Sequence, residues 1–179
     1  MIVLVGKSSS GKDSILNVLC DKFGYKPIIS YTTRPRRKSD IKDVTYHFIP
    51  KNEFLDLVAN DFFAEMTDNY HNYYGIAKDD CLDESIVIVD RHGLEQLRKV
   101  EGLNIMAFYL SASPLTRFVR MIKRGDKLLN VFKRILIDDV KFLNAKKSCD
   151  WVLKSKNGEG DNLINAELIS YYLDKPHIY

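Results

Sequence analysis

A short loop near the N-terminus constrains this chain more than any other feature. Gly6 to Lys12 reads G-K-S-S-S-G-K and fits the pattern G-x-x-x-x-G-K, whose backbone N–H groups turn inward around phosphate oxygens. The loop follows a continuous apolar run, Met1–Val5, and precedes a helical pattern over 13–23 that ends at Gly24. A strand, a glycine loop and a helix in this order predict a nucleotide-binding α/β fold, with Lys12 at the outer phosphates.

Composition excludes several other classes of protein. The 179-residue length suits one α/β domain, and the 45% apolar fraction predicts a folded core. The net charge of +3 argues against a surface coated for nucleic acid. Three separated cysteines (Cys20, Cys81 and Cys149) predict neither a disulfide framework nor a zinc site. Because Met1–Val5 is too short for a signal peptide or a membrane span, we expect a cytoplasmic protein with no membrane partner.

The rest of the chain predicts alternating strands and helices. Residues 31–43 are polar and basic and are predicted to form a loop, and Asn157–Asp161 a turn. Ser113-Pro114 is a good N-terminus for a helix. Strands are predicted at 46–49, 62–67, 73–76, 85–89, 105–110 and 151–154, and helices at 52–60, 94–100, 114–123, 128–145 and 163–173, with Phe132, Leu136, Val140 and Leu143 on one face of the fourth.

A second set of motifs follows the glycine loop in a fixed order. Ser30 to Arg37 reads S-Y-T-T-R-P-R-R, and Tyr46-His47-Phe48 comes nine residues later. Further along stand Glu65, Asn72-Tyr73-Tyr74-Gly75, Asp90-Arg91-His92-Gly93, Arg120 with Arg124-Gly125, and Lys133-Arg134-Ile135.

Together these motifs resemble those of the guanylate kinase family, from about Met1 to Val152. The resemblance implies a P-loop kinase fold: a mostly parallel core sheet flanked by helices, a small inserted β-rich subdomain that binds GMP, and a helical lid. It implies one domain over 1–179, with the core at 1–30 and 82–179, the subdomain at about 31–81 and the lid at about 114–134. The implied reaction transfers the γ-phosphoryl of ATP to GMP, and we expect dGMP to be accepted as well.

The resemblance also assigns roles to individual residues. Catalytic roles fall to Lys12, Arg34, Arg120, Arg124 and Arg134. ATP binding falls to Gly6, Ser8, Ser9, Ser10, Gly11, Lys12, Asp13 and Ser14. GMP binding falls to Ser30, Arg34, Arg37, Tyr46, Glu65, Tyr74 and Asp90.

The residue types make chemical sense for these roles. A monophosphate requires planar bidentate cations and hydroxyl donors, which Arg34, Arg37, Tyr46 and Tyr74 provide. Guanine presents two adjacent donors, N1–H and N2–H₂, and one carboxylate at Glu65 can accept both. Adenine would place an acceptor against the same carboxylate, so the site discriminates between the bases.

The metal and adenine sites depart from the family pattern. Asp13 follows Lys12, where a Ser or Thr hydroxyl normally reaches Mg²⁺, and Ser14 offers a hydroxyl one position later. Ile88 stands two residues before Asp90, where the family usually has an acidic residue. We therefore expect Mg²⁺ to be held mainly by ATP phosphates and water, with Asp13 or Ser14 as its protein ligand. Lys154-Ser155-Lys156-Asn157 replaces the usual V-N-D ending, which leaves the adenine contacts open.

Three other interpretations stay open at this point. The spelling G-K-D-S at Gly11–Ser14 resembles ribose 1,5-bisphosphate phosphokinases, although these typically lack the basic arm and the pocket glutamate. A non-catalytic guanylate-kinase-like interaction module is the second, and the loop lysine argues against it. A deoxynucleotide kinase with dGMP as its main acceptor is the third. For the separate segments, a solvated basic arm and an exposed helix face of lid arginines, Arg120 above all, also stay open.

The charge is unevenly distributed along the chain. Residues 31–42 carry a net +4 and residues 117–134 a net +6, so the remainder carries −7. An acidic body with two basic segments predicts one cleft for two polyanionic nucleotides rather than a nucleic-acid surface.

Overall fold

The computed structural model describes residues 1–37, 40–69, 71–155 and 160–173. Fifteen strands and helices are assigned within these ranges, and short 3₁₀ turns lie at Lys78–Asp80 and Ala145–Ser148. In chain order the first eight elements are β1 (Ile2–Val5), α1 (Lys12–Phe23), β2 (Lys26–Pro27), β3 (Tyr31–Thr32), β4 (His47–Phe48), α2 (Lys51–Ala59), β5 (Phe63–Asn69) and β6 (Asn72–Ala77). The others are β7 (Ser85–Ile88), α3 (Arg91–Leu97), β8 (Met106–Ser111), α4 (Pro114–Lys123), α5 (Leu128–Lys141), β9 (Trp151–Lys154) and α6 (Gly160–Leu173).

A five-stranded parallel sheet lies at the centre, in the order β2-β7-β1-β8-β9. Its middle strand β1 is buried on both faces, which explains its unbroken apolar sequence. Ile2 and Leu4 pack under α1 and α6, whereas Val3 and Val5 pack on the α3 side. The predicted α/β architecture, a mostly parallel sheet flanked by helices, is confirmed.

A smaller four-stranded sheet, in the order β4-β3-β6-β5, lies between β2 and β7 in the sequence. Its longest pairing is the antiparallel β5–β6 hairpin, with Glu65 opposite Ile76. Stacked aromatic rings hold α2 against this sheet, because Phe54 is fully buried between Phe63 and Tyr73. Two of its strands, β5 and β6, thereby place Glu65 and Tyr74 on one side of a cleft.

Most predicted elements are confirmed to within one or two residues, and four predictions are wrong. The predicted loop at 31–43 contains β3, and β2 has no predicted counterpart; both strands are only two residues long. Helix α3 begins at Arg91 rather than at 94, because Asp90 caps it by accepting from the Gly93 N–H at 3.0 Å. Helix α6 already includes Gly160 and Asp161, which were predicted to form a turn, while 157–159 lie outside the described residues.

The fourth error concerns α5, which ends at Lys141 and not at 145. Its apolar stripe does not enter the core: Phe132, Leu136, Val140 and Leu143 are each more than half exposed. Val131 and Asp138 are the buried side chains of this helix. Helix α4, by contrast, begins as predicted, with the Ser113 hydroxyl accepting from the Thr116 N–H at 3.0 Å.

A buried ion pair connects α4 and α5 to the loop after β1. The Arg117 side chain is 1% exposed, and its Nη2 lies 2.6 Å from Asp138 Oδ2. Arg117 Nε also donates to the Ser8 carbonyl at 3.0 Å, and Asp138 Oδ2 accepts from the Ser8 N–H at 2.7 Å. Arg117 and Asp138 therefore compensate each other's charge, and together they also bind the carbonyl and the N–H of Ser8.

Within the described ranges, no helix has the length and apolar character needed to cross a membrane.

Because the pair is buried, removing Arg117 leaves the Asp138 carboxylate without its ion-pair partner. We expect Arg117→Leu to lower the free energy of unfolding by about 3–5 kcal/mol. Arg117→Leu/Asp138→Asn should recover much of this loss, since it removes both charges and keeps an acceptor for Ser8. Urea denaturation followed by circular dichroism measures both effects.

Lys26→Ala is the control, because Lys26 and Glu84 form an exposed pair worth about 1 kcal/mol or less. If Arg117→Leu cost no more than Lys26→Ala, the proposed energetic role of the pair would be wrong.

Candidate active site

The glycine loop runs from the carboxyl end of β1 to the first turn of α1. Gly11 stands at the helix N-terminus with φ of 103°, a conformation that side chains strongly disfavour. Lys12 folds back over the loop, its Nζ donating to the carbonyls of Gly6 at 2.7 Å and Lys7 at 3.0 Å. Burial lowers the pKa of Lys12 to about 8. An anion placed beside this ammonium would favour its charged form.

Arginines from α4 and α5 surround the same loop. Arg120 Nη1 donates to the Ser9 carbonyl at 3.2 Å and to Ser155 Oγ at 3.1 Å. Arg134 Nε donates to Ser8 Oγ at 2.9 Å. The half-buried Arg120 thus contacts the loop, which contradicts the alternative of an exposed helix face for this residue.

Two buried polar atoms beside the loop have no hydrogen-bond partner in the described part of the chain. They are Ser10 Oγ, within the loop, and Asn162 Oδ1 of α6. A Cβ built on Gly11 would lie 3.5 Å from this Asn162 oxygen and 3.2 Å from Ser155 Oγ. Ser10 Oγ and Asn162 Oδ1 are therefore well placed to bind a polar ligand at the loop.

A cavity of about 510 Å³ opens between the small sheet and the edge formed by β7 and α3. All seven residues predicted to bind the acceptor nucleotide line it, together with Arg134. They are Ser30, Arg34, Arg37, Tyr46, Glu65, Tyr74 and Asp90. Because Arg134 also bonds Ser8, this cavity and the glycine loop share one side chain.

The basic arm is ordered by an acid of its own. Arg34 Nη2 lies 3.0 Å from Asp40 Oδ2, and the same oxygen accepts from the Arg37 N–H at 2.6 Å. That backbone hydrogen bond, together with Arg34, holds the pKa of Asp40 below its usual value. The Arg34 guanidinium also lies over the Tyr46 ring, 5.5 Å from its centroid. Arg34 is thus held at the cavity wall, while the Arg37 side chain stays exposed.

Glu65 is the buried acid of the cavity, with only 7% of its surface exposed. Burial, reinforced by the negative charge of Asp90, raises the pKa of Glu65 to about 7. Gly93 allows this approach, because a Cβ there would lie 3.0 Å from Glu65 Oε1. A carboxyl with this pKa changes charge readily when a ligand presents donors to it.

Asp90 differs from Glu65 because it already has partners. Lys141 Nζ lies 2.7 Å from its Oδ2, and the Gly93 N–H donates to its Oδ1. Burial pushes the pKa of Asp90 upward, but these hydrogen bonds outweigh it and hold the pKa below its usual value. Asp90 therefore stays ionised, and its geometry is that of a helix cap at the cavity wall.

Three of the predicted site residues lie apart from these contacts. Arg124 is paired with Asp126 in the turn after α4 and lines neither the cavity nor the loop. Asp13 and Ser14 are exposed on the first turn of α1. In the described ranges, no group of three or more His, Cys, Asp or Glu residues could hold a metal ion by itself.

Three residues of the site were missed by sequence reasoning. Arg117 was given no role, and Asp138 and Asp40 were not singled out. Asp138 lies 21 residues beyond Arg117, and nothing in the helical periodicity marks the two as partners. The only sequence signal for Asp40 is that it is the single acid within the basic segment 31–42.

Comparison with known proteins identifies the family of this chain. The family model described as guanylate kinase matches residues 1–157. The guanylate kinase of Carboxydothermus hydrogenoformans is 32% identical over 161 residues, covering 84% of this chain and 76% of that protein. The guanylate kinase of Clostridium perfringens strain 13 is 35% identical over 134 residues, covering 71% of this chain and 62% of that protein.

A solved structure shows the same fold. The crystal structure of guanylate kinase from Anaplasma phagocytophilum superposes with a TM-score of 0.71 at 16% identity, covering 98% of this chain and 86% of the other. The match over residues 1–157 and the ordered motifs around one cavity lead to the same conclusion: this chain belongs to the guanylate kinase family.

Proposed function

We propose that this chain is an active guanylate kinase, which transfers the γ-phosphoryl of ATP to GMP and dGMP and gives ADP and the nucleoside diphosphate. The observation that carries the proposal is the buried Glu65 carboxyl in one cavity with Arg34, Arg37, Tyr46 and Tyr74. Such a cavity offers an acceptor pair for the guanine donors and cations for a phosphate.

The acceptor phosphate would lie between the basic arm and the glycine loop. Arg37 is exposed at the cavity wall, and Arg34 is preoriented by Asp40. Arg134 reaches both the cavity and Ser8, so it lies where the two phosphates would meet. The acceptor phosphate is already anionic near neutral pH, so no general base is needed. Catalysis then depends on alignment and on cations that spread the charge of the transferred group.

The donor side would use the glycine loop, with Gly6, Ser8, Ser9, Ser10 and Gly11 supplying the phosphate cradle. Lys12 would exchange its two carbonyl partners for phosphate oxygens. Arg120 already lies on the loop, whereas Arg124 would have to leave Asp126 to reach a phosphate.

The residues present fit a Mg²⁺ ion carried by ATP. Asp13 offers one exposed carboxylate at the first turn of α1 and Ser14 one hydroxyl, and Mg²⁺ is usually held by one or two carboxylates plus substrate phosphates. When bound, the ion would neutralise charge on the ATP phosphates. Asp13 or Ser14 is the side chain that would hold it.

An acceptor scan tests the reaction directly. ADP release from ATP should be rapid with GMP and dGMP, and at least tenfold slower with AMP, UMP or ribose 1,5-bisphosphate, because only guanine pairs with Glu65. A coupled ADP assay measures all five. Turnover with ribose 1,5-bisphosphate and none with GMP or dGMP would reject the proposal. ATP binding without turnover of any acceptor would also reject it.

Glu65→Gln tests the base contact. The amide keeps the shape of the side chain but sets an NH₂ donor against one of the guanine donors. We expect the KM for GMP to rise at least about tenfold, with the KM for ATP within about twofold. Glu84→Gln is the matched control, because Glu84 is an exposed acid just before β7, at the end of that strand away from the cavity. Unaltered GMP kinetics in Glu65→Gln would remove Glu65 from the pocket.

The raised pKa of Glu65 gives the reaction a pH signature. Below about pH 7 the carboxyl is mostly protonated and its O–H opposes the guanine donors; above it the carboxylate accepts both. The KM for GMP should therefore fall by about tenfold from pH 6 to pH 8 and level off above. The GMP phosphate titrates in the same range, and Glu65→Gln retains only that part of the profile. An identical profile in the two proteins would contradict the assignment.

A further inference from the structure

A second cavity, of about 610 Å³, opens at the carboxyl ends of β8 and β9. It shares no lining residue with the cavity that contains Glu65. Its walls come from the glycine loop, β8, the first turn of α4, the 3₁₀ turn at Ala145–Ser148 and the end of β9. We call it the β8–β9 cavity. Its volume is that of a site for a small molecule, and the proposed reaction leaves it unused.

The β8–β9 cavity lies on the α3 side of the central sheet. Tyr109 packs in the core cluster on that side, and Ser111 shares its face because side chains alternate along a strand. Lys154 is paired with Ser111 in the parallel register of β8 and β9, so it also lies on this face. Gly11 and Asn162 stand at the first turns of α1 and α6, which pack on the other side, and neither lines the cavity. The cavity is therefore separate from the side of the glycine loop on which Gly11 and Asn162 lie.

Two buried hydroxyl groups line this cavity without an acceptor for their hydrogens. Tyr109 is only 2% exposed, yet its hydroxyl forms no hydrogen bond with any residue that the structure describes. Thr116 is 8% exposed, and its Oγ1 accepts from Ser113 Oγ at 2.9 Å. In the described ranges, nothing accepts the hydrogen of Thr116 itself. Because a buried hydroxyl without a partner costs free energy, both groups are donors that a bound ligand would satisfy.

The charged side chains at the cavity are all lysines. Lys146 Nζ lies 5.6 Å from the centre of the Tyr109 ring, and neither Lys146 nor Lys154 forms an ion pair with a described residue. Lys7 is the third, and it is already paired with Asp139 at 2.5 Å. No Asp or Glu occurs among the described lining residues. Helix α4 also begins at this cavity, and a helix N-terminus favours negative charge. The β8–β9 cavity thus offers positive charge and hydrogen-bond donors to an anion.

We propose that the β8–β9 cavity binds a small phosphorylated molecule. A flat carboxylate is matched best by the planar guanidinium of arginine, and no arginine is among the described residues that line this cavity. Lysine ammoniums act as point charges, which suit the several oxygens of a tetrahedral phosphate. The hydroxyls of Tyr109 and Thr116 come from a strand and a helix, so they can donate to different oxygens of one group.

Isothermal titration calorimetry of the full chain with pyrophosphate tests the site. Pyrophosphate should bind the wild type, and binding at the β8–β9 cavity should persist in Lys12→Met, which removes the ammonium of the glycine loop. Lys146→Met/Lys154→Met should raise the Kd of the persisting site at least about tenfold, because it removes both unpaired charges. Lys99→Met/Lys147→Met is the matched control, since it removes two exposed lysines outside the cavity and should change that Kd less than about twofold.

Tyr109→Phe tests the buried hydroxyl without changing any charge. It keeps the ring and should weaken pyrophosphate binding at least about fivefold, because it removes one donor to a charged group. Citrate is titrated in parallel as a carboxylate anion. Three results would overturn the proposal: no saturable binding to Lys12→Met, an equal loss of affinity in the control, or tighter binding of citrate than of pyrophosphate. None of these results depends on turnover of GMP, so the proposed function is tested separately.

Discussion

The buried pair of Arg117 and Asp138 is the interaction on which the site depends. A glycine loop alone has backbone freedom, and a phosphate cradle needs its N–H groups fixed. Here the carbonyl and the N–H of Ser8 are both taken by the pair, so α4 and α5 hold the loop from the side opposite β1. Removing Arg117 would weaken the contact of two helices with the loop at once, because it leaves the buried Asp138 carboxylate without its ion-pair partner.

Ion pairing also explains why the two strongly basic segments of the chain do not simply repel each other. Within the arm, Asp40 engages Arg34; within the second segment, Asp126 engages Arg124, and Asp138 engages Arg117. These three arginines form ion pairs within the chain and so stabilise its folded structure. The cations left facing the cleft are a smaller set, with Lys12, Arg37 and Arg134 foremost, and they come from three different elements. Convergence of charge from separate elements is what a transferred phosphoryl group requires.

Sequence reasoning predicted the core well and the α4–α5 hairpin poorly. The apolar run predicted the buried strand β1 and the small residues after it a loop that leads into a helix, and the structure confirms both. That this loop binds phosphate stays a prediction. In α4 and α5 the buried side chains include the charged Arg117 and Asp138 beside Met121 and Val131, while Leu136 and Val140 are exposed. Periodicity detects an apolar face but does not show what that face packs against. An ion pair between helices leaves no periodic signal in the sequence. Neither does a helix cap such as Asp90, because of which α3 begins earlier than predicted.

The two faces of α5 differ in what they contact. One face carries Arg134 and Asp138 toward the glycine loop, and the apolar stripe that the sequence predicts lies mostly exposed on the other. Val131 is the buried apolar side chain of the helix, and Phe132 contacts the Phe118 ring of α4. Because so little of its apolar surface is buried, α5 depends strongly on the ion pair that joins it to α4 and to the loop. The position of Arg134 at Ser8 therefore depends on a charge interaction more than on apolar packing.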